Sequence, residues 1–338
     1  MMETIHIDGS LGEGGGQVLR SSLALSMITG KRVEFKNIRA GRAKPGLMRQ
    51  HLACVRAAQK FCGARVQGDE LKSMEVSFIP GEIQAGDYHF NVGSAGSVGL
   101  VLQTVMPALI LADGPSTLIL EGGTHNPMAP PFDFLKQVFV PQLAKMGVKM
   151  DMNLEDWGFF PAGGGRMNVS IEPVNELKSL SLMTRGALKN RRGRAVVSSI
   201  PISIAESEVK VLQSKLEWKD ISAEEVLQPN GPGNIVMTEL EFEHVSELCS
   251  SFGEKGIRAA RVADKAVCAI RKYLLSEAPV GEHLADQLLL PMALAGEGEF
   301  LCTEISSHTR TNMEVIQKFL KVKFSVREQN QAFHISIT

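Results

Sequence analysis

Apolar positions recur along this chain at three- and four-residue spacing, in blocks that open on a glycine turn and close at a glycine. Residues 18–28 follow Gly12-Glu13-Gly14-Gly15-Gly16-Gln17 and stop at Gly30. Residues 98–111 follow Gly93-Ser94-Ala95-Gly96-Ser97 and stop at Gly114. Residues 284–294 follow Val280-Gly281-Glu282-His283 and stop at Gly296. The spacing predicts helices, and a glycine just past the last apolar position predicts where each ends. A short strand-like run follows each helix, at residues 32–38, 116–120 and 299–305. Then come a polar loop and a second helical block, at residues 47–61, 132–146 and 312–320. Strict alternation predicts further strands at 74–79 and 88–92, at 148–154 and 167–171, and at 322–326 and 333–337. The same helix–strand–helix–strand unit is thus written three times. The predicted class is α/β (α+β), with helices laid on small sheets.

The first two units abut. Residues 185–277 separate the second from the third and carry their own pattern: a strand (194–200), a helix (204–216), two strands (221–227 and 235–242) and a closing helix (258–275). We expect a repeat domain of residues 1–184 plus 278–338, interrupted by a small inserted α/β domain of residues 185–277. The insert begins with Lys189, Arg191, Arg192 and Arg194, which fit a solvated linker better than a nucleic-acid contact.

With 338 residues and 44% hydrophobic content the chain can bury a sizeable core. The net charge of −1 gives no whole-chain basic footprint, so any anion site is local. Five cysteines without a C-x-x-C pair suggest a reducing, cytoplasmic setting, with neither a disulfide framework nor a zinc site. Cys54 and Cys62 share one helical block and read as core. The longest apolar run, 98–112, contains Gln103 and is too short to span a bilayer.

The three polar loops hold the reactive side chains. Residues 35–68 contain no Asp or Glu, yet carry Lys36, Arg39, Arg42, Lys44, Arg49, Arg56, Lys60 and Arg65. Arg39, Arg42 and Lys44 sit among small residues in the first loop, with Arg20 on the neighbouring helix. Guanidinium groups match phosphate oxygens in pairs, and helix N-termini add N–H donors. Arg56, Lys60 and Arg65 read instead as an exposed helix face. The glycine turns match neither G-x-G-x-x-G in register nor G-x-x-x-x-G-K-[ST]. His308 lies among hydroxyl and amide side chains in the third loop, where a neutral imidazole is a good nucleophile. His125, in the second loop, is its internal competitor.

Six segments together resemble the RNA 3′-terminal phosphate cyclase family. They are residues 13–20, 39–47, Gly93-Ser94-Ala95-Gly96-Ser97, Gly122-Gly123-Thr124, Pro161-Ala162-Gly163-Gly164-Gly165 and His283-Leu284-Ala285-Asp286-Gln287. The resemblance runs in order over nearly the whole chain, with His308 where the family's catalytic histidine falls. It implies a repeat domain broken by a small insert, and an ATP-dependent enzyme acting on RNA with a 3′-terminal phosphate. His308 would take AMP from ATP, pass it to the RNA phosphate, and the neighbouring 2′-OH would close a 2′,3′-cyclic phosphate. Arg20, Arg39, Arg42 and Gln50 would grip the terminal phosphate. Gln103, Pro130, Phe134, His283 and Asp286 would line the adenosine side, with Leu284, Ala285 and Gln287 in the same motif. Glu13 would help place a divalent metal, magnesium or manganese. Bacterial members of the family carry an adenine-stacking tyrosine where this chain has His283; imidazole stacks with less area. Two other readings remain: a non-catalytic RNA-binding assembly factor of the same family, which would lack the nucleophilic histidine, and an enolpyruvyl transferase-like enzyme, which would need none.

Overall fold

The computed structural model describes residues 2–12 and 14–338, so Glu13 lies outside the described residues. The architecture is mixed α/β, with four four-stranded sheets among the described residues. The first sheet holds β1 (Thr4–Asp8), β2 (Arg32–Lys36), β3 (Arg65–Gln67) and β4 (Val76–Ile79), in the order β1-β2-β4-β3. Between its strands run α1 (Gly16–Thr29) and α2 (Arg49–Cys62). The second sheet holds β5 (Gly86–Asn91), β6 (Ser116–Gly122), β7 (Lys149–Asp156) and β8 (Gly165–Glu172), in the order β5-β6-β8-β7. Here α3 (Val98–Leu109) precedes β6. After it come α4 (Phe132–Phe134), a π-helical stretch (Leu135–Phe139) and α5 (Val140–Lys145), which follow one another without a break.

The next strand, β9 (Leu180–Leu182), does not pair with its neighbours in sequence. It lies parallel to a strand more than a hundred residues on. Between the two come β10 (Leu188–Ser198), α6 (Ser203–Leu216), β11 (Asp220–Glu225), β12 (Gly233–Phe242), β13 (Ser246–Phe252) and α7 (Ala259–Leu275). The chain then re-enters with α8 (Glu282–Ala295), β14 (Gly298–Cys302), α9 (Ser307–Phe319), β15 (Phe324–Gln329) and β16 (Ala332–Ile337). The third sheet is β9-β14-β16-β15. In the first three sheets the first strand pairs parallel with the second, and the later pairings are antiparallel. The sheet of residues 188–252 departs from that order, running β11-β10-β12-β13.

Several sequence expectations shift. The strand expected at 88–92 belongs to the second sheet, because its register with β6 is parallel from Gly86 to Asn91. The strands β3, β9 and β13 depart from the sequence expectation; β3 and β9 have three residues each, too few to show a period. Gly30 and Gly296 do end their helices in the left-handed conformation, at φ 68° and 82°. Gly114 does not. Beyond Leu109 the chain tightens into i→i−3 bonds from Leu111 to Ala108 and from Ala112 to Leu109, so α3 ends before that glycine. The third polar loop is mostly helix, since α9 starts at Ser307. The basic run 189–194 is not a linker but part of strand β10, and Arg194 is buried.

One large core joins the first three sheets and their helices. Strand alternation divides β10 and β12 between two faces. Ala195, Val197 and Val236 pack under α6 and α7. Val196, Ile235 and Met237 face the other way and join the large core. Helix α1 is buried along most of its length and packs on α2, α3 and α9. That placement brings the helix starts of three sheets to one region.

Candidate active site

The glycine turn before α1 is held close to α9. Gly12 has φ 58°, and a Cβ there would stand 2.0 Å from Thr311 Oγ1. Gly16 leaves room of another kind: a Cβ would lie 2.6 Å from Arg20 Nη1 and 2.8 Å from His51 Nε2. Only glycine lets the start of α1 approach a guanidinium and an imidazole this closely.

Around that point the cations gather. Arg20 donates to Gln17 Oε1 at 2.7 Å. Arg39 has a positive φ of 53°, and its guanidinium donates to the carbonyls of Lys44 at 2.6 Å and Gly46 at 3.1 Å. It therefore shapes its own loop as well as adding charge. The Arg42 Nε atom donates to Gly14 O at 3.4 Å. Gln50, on the first turn of α2, donates to Ser97 O at 3.1 Å and so reaches the start of α3. Arg56 and Arg65 are exposed and away from this cluster, and Lys60 bonds His89 O at 2.7 Å.

His51 belongs to the cluster, although no motif in the sequence singled it out. Its Nδ1 accepts from the Met48 N–H at 3.2 Å, closing the first turn of α2. The neutral ring therefore carries its proton on Nε2, facing Gly16. Burial, and then the charges of Arg39 and Arg20, push its imidazole down to about 3. His51 stays a neutral donor among guanidinium groups. Its adjacency to Gln50 was the available signal.

A second group lies across α1. Arg20, Gln103 of α3 and Asp286 and Gln287 of α8 line one cavity with Ser21 and Asn312. Ser21 donates to Asn312 Oδ1 at 2.7 Å, and Asn312 donates to Asp286 O at 3.0 Å, tying α1, α8 and α9 together. The cavity measures about 40 Å3, far less than a nucleoside-sized site. Leu284 and Ala285 are fully buried and seat α8 on the core. Phe134 is also buried, and the Pro130 carbonyl lies against Gly99 on the first turn of α3.

His308 is exposed in the first turn of α9, where Ser306 caps the helix by accepting from Thr309 N at 3.1 Å. His283, in the first turn of α8, is its electrostatic neighbour. Desolvation and then His308 hold the His283 imidazole below its usual value, with Glu304 opposing. His283 is exposed to solvent. His125 is the opposite case. It is fully buried, with Nε2 2.9 Å from Asp133 Oδ2 and Nδ1 2.8 Å from Thr124 Oγ1, and it stacks on Trp157 at 4.1 Å. Arg194 donates to the other Asp133 oxygen at 2.7 Å and clamps Glu224 through two bonds. Burial pushes Asp133 up, but His125 and Arg194 outweigh it and hold the carboxyl at about 2.

Among the described residues no group of three or more His, Cys, Asp or Glu is arranged to hold a metal ion. Nor is any described helix long and apolar enough to cross a membrane.

Fold and site together define an α/β protein with guanidinium groups gathered at a glycine turn that is held against a helix bearing an exposed histidine in its first turn. The sequence profile of the RNA 3′-terminal phosphate cyclase family matches residues 11–326. Proteins named RNA 3′-terminal phosphate cyclase from Salmonella enteritidis and Salmonella typhimurium are each 46% identical over 338 residues, covering all of both chains. This chain belongs to the RNA 3′-terminal phosphate cyclase family. A solved enolpyruvyl transferase, NikO from Streptomyces tendae, covers 99% of this chain and 48% of its own at 8% identity. Its TM-score of 0.38 is too low to argue from.

Proposed function

We propose that this protein uses ATP to convert an RNA 3′-terminal phosphate to a 2′,3′-cyclic phosphodiester, with His308 as the nucleophile. The observation that carries the proposal is the contrast in burial between the two loop histidines: His308 is exposed to solvent at a helix start, and His125 is fully buried. A His308 ring nitrogen attacks the α-phosphorus of ATP, and pyrophosphate leaves. An oxygen of the RNA phosphate then attacks the same phosphorus, breaking the P–N bond and taking the AMP. Finally the neighbouring 2′-OH attacks the RNA phosphorus, loses its proton and expels AMP. A phosphate monoester is a poor electrophile until adenylylated, and the last step gains from being intramolecular.

In this reading Arg20, Arg39, Arg42 and Gln50 hold the RNA phosphate, and the neutral Nε2–H of His51 adds a donor. Gln103, Pro130, His283, Asp286 and Gln287 form the adenosine side, with Phe134, Leu284 and Ala285 beneath them. Because the cavity among Arg20, Gln103 and Asp286 is small, the nucleotide lies across its mouth. Magnesium or manganese would be held mainly by nucleotide phosphates and water, and by the family resemblance Glu13 would help place it. We read residues 1–184 plus 278–338 as the catalytic repeat domain and 185–277 as the insert, supported by the pairing of β9 with β14 across that segment. A reducing, cytoplasmic setting fits the free cysteines. The presence of His308 favours an enzyme over a non-catalytic assembly factor. The test is incubation with α-labelled ATP and divalent metal, followed by a 3′-phosphorylated oligoribonucleotide. Acid-labile label on protein and a cyclic-ended product are expected; absence of both from folded protein overturns the reading.

A further inference from the structure

A groove of about 540 Å3 opens beside the guanidinium cluster. One wall is the start of α2, with Met48, Arg49 and Gln50; the other is the turn before α3, from Ser94 to Ser97. Gln50 joins the two walls by its bond to Ser97 O at 3.1 Å. The groove is therefore continuous with the region proposed to hold the RNA phosphate. Its rim is apolar and open to solvent: Met128 is 98% exposed, Phe160 63% and Leu71 50%. Arg49 and Lys72 supply positive charge, and among the described residues no Asp or Glu lines the groove.

Met128, Phe160 and Leu71 are exposed together along one groove, and apolar side chains exposed as a group mark an interaction surface. Single-stranded nucleic acid is held by cations along its backbone and by side-chain faces on which bases stack. This groove offers both, next to the group that binds the chain end. The cavity that Arg20 lines between α3 and α8 measures about 40 Å3 and has no room for a nucleotide.

We propose that this groove holds the nucleotides immediately 5′ of the terminal phosphate of a single-stranded RNA, with a base against Phe160 and Met128 and the backbone beside Arg49 and Lys72. The inference rests on the proposed cyclase activity and adds the site that recognises the substrate beyond its phosphate. Phe160, Met128, Arg49 and Lys72 are binding residues here and touch no reacting atom.

The experiment measures cyclisation of a nucleoside 3′-monophosphate and of a 3′-phosphorylated octaribonucleotide, together with protein labelling by α-labelled ATP. The proteins are wild type, Phe160→Ala with Met128→Ala, and Phe160→Trp. In wild type the octamer should show a lower KM than the mononucleotide. The double alanine variant should raise KM for the octamer roughly tenfold, in line with the loss of base stacking. Its KM for the mononucleotide and its rate of labelling should stay within about twofold, and Phe160→Trp should keep the octamer KM. An unchanged octamer KM in the alanine variant overturns the groove assignment, as does a loss shared equally by the mononucleotide. Those outcomes leave the cyclase reading standing. A wild type that neither takes label nor cyclises either substrate removes both.

Discussion

His125 and His308 follow β6 and β14, the second strands of two sheets that share one strand order. Their surroundings differ first in burial. His125 is sealed under Trp157 and Phe159, with a carboxylate on one ring nitrogen and a hydroxyl on the other. Through Asp133 it is linked to Arg194 and Glu224, so it helps fasten β10 to the rest of the molecule. His308 stands in the open first turn of α9, beside His283 of α8. Matching places in a topology therefore do not carry matching roles. What separates a fastening residue from a reactive one here is access to solvent.

The sharpest test of this contrast exchanges the two histidines' expected fates. His308→Ala should lower label transfer from ATP to protein by roughly 10^3-fold or more, as removing a nucleophile does, with the thermal unfolding midpoint little changed. His125→Ala should do the reverse. It leaves a cavity and a half-paired buried carboxylate, costing about 3 kcal/mol or more, while the protein that stays folded still takes label. A labelled His308→Ala protein, or a stable but inert His125→Ala protein, would break the comparison.

The Asp133 carboxyl sharpens the same contrast through pH. Its folded pKa is held below the unfolded value, so its contribution to stability is present above about 3.8 and is lost as pH falls towards about 2. Asp133→Asn should therefore be less stable at neutral pH and should show a shallower loss of stability across that acid window, read by urea unfolding. A variant with the parent's acid slope would mean that the His125–Asp133–Arg194 chain contributes little.

The basic stretch contains a smaller version of the comparison. Arg42 and Arg56 are both exposed, but Arg42 donates to Gly14 O in the glycine turn, whereas Arg56 stands 3.9 Å from Asp69. Arg42→Ala should slow cyclisation roughly 10- to 100-fold, the loss of a charge-assisted contact of about 1.5–3 kcal/mol. Arg56→Ala should change it less than about twofold, since an exposed pair contributes little. Equal effects would move the anion site away from the first loop. Arg39 is a less clean probe, because its guanidinium also holds the carbonyls of Lys44 and Gly46.

The smallest expected effect concerns His283. If its ring meets the adenine, His283→Ala should weaken ATP binding by about 1 kcal/mol, roughly fivefold, and His283→Tyr should keep or improve it. Desolvation and His308 lower the imidazole's pKa, so His283 is mostly neutral near pH 7. Any pH dependence that it gives to ATP binding belongs below about 6.5. Titration in a His308→Asn background checks this; identical affinity and pH profile in all three proteins would take His283 out of the adenosine side.

Much of the site is legible in the amino-acid sequence. The one-sign charge of residues 35–68, the glycine turns and the ordered motifs all point to the same cluster. His51 escapes because nothing in its local pattern marks it; its role comes from Gly16, Arg20 and Arg39 packed around it. Arg194 misleads for the same reason. In sequence it belongs to an exposed-looking basic run, and only the carboxylates of Asp133, Glu224 and Glu239 make a buried guanidinium tolerable there.

By itself the sequence determined the helices and most strands, because periodicity and glycine stops act within a few residues. It also determined the family, because motifs that keep their order over the whole chain are specific. Tertiary structure alone decided which sheet β5 and β9 join, which of two histidines lies open, and where the exposed ring of Phe160 stands. Strand pairing and burial depend on residues far apart in the chain: β9 meets β14 only after the chain has built and left residues 188–275. No local window contains that information.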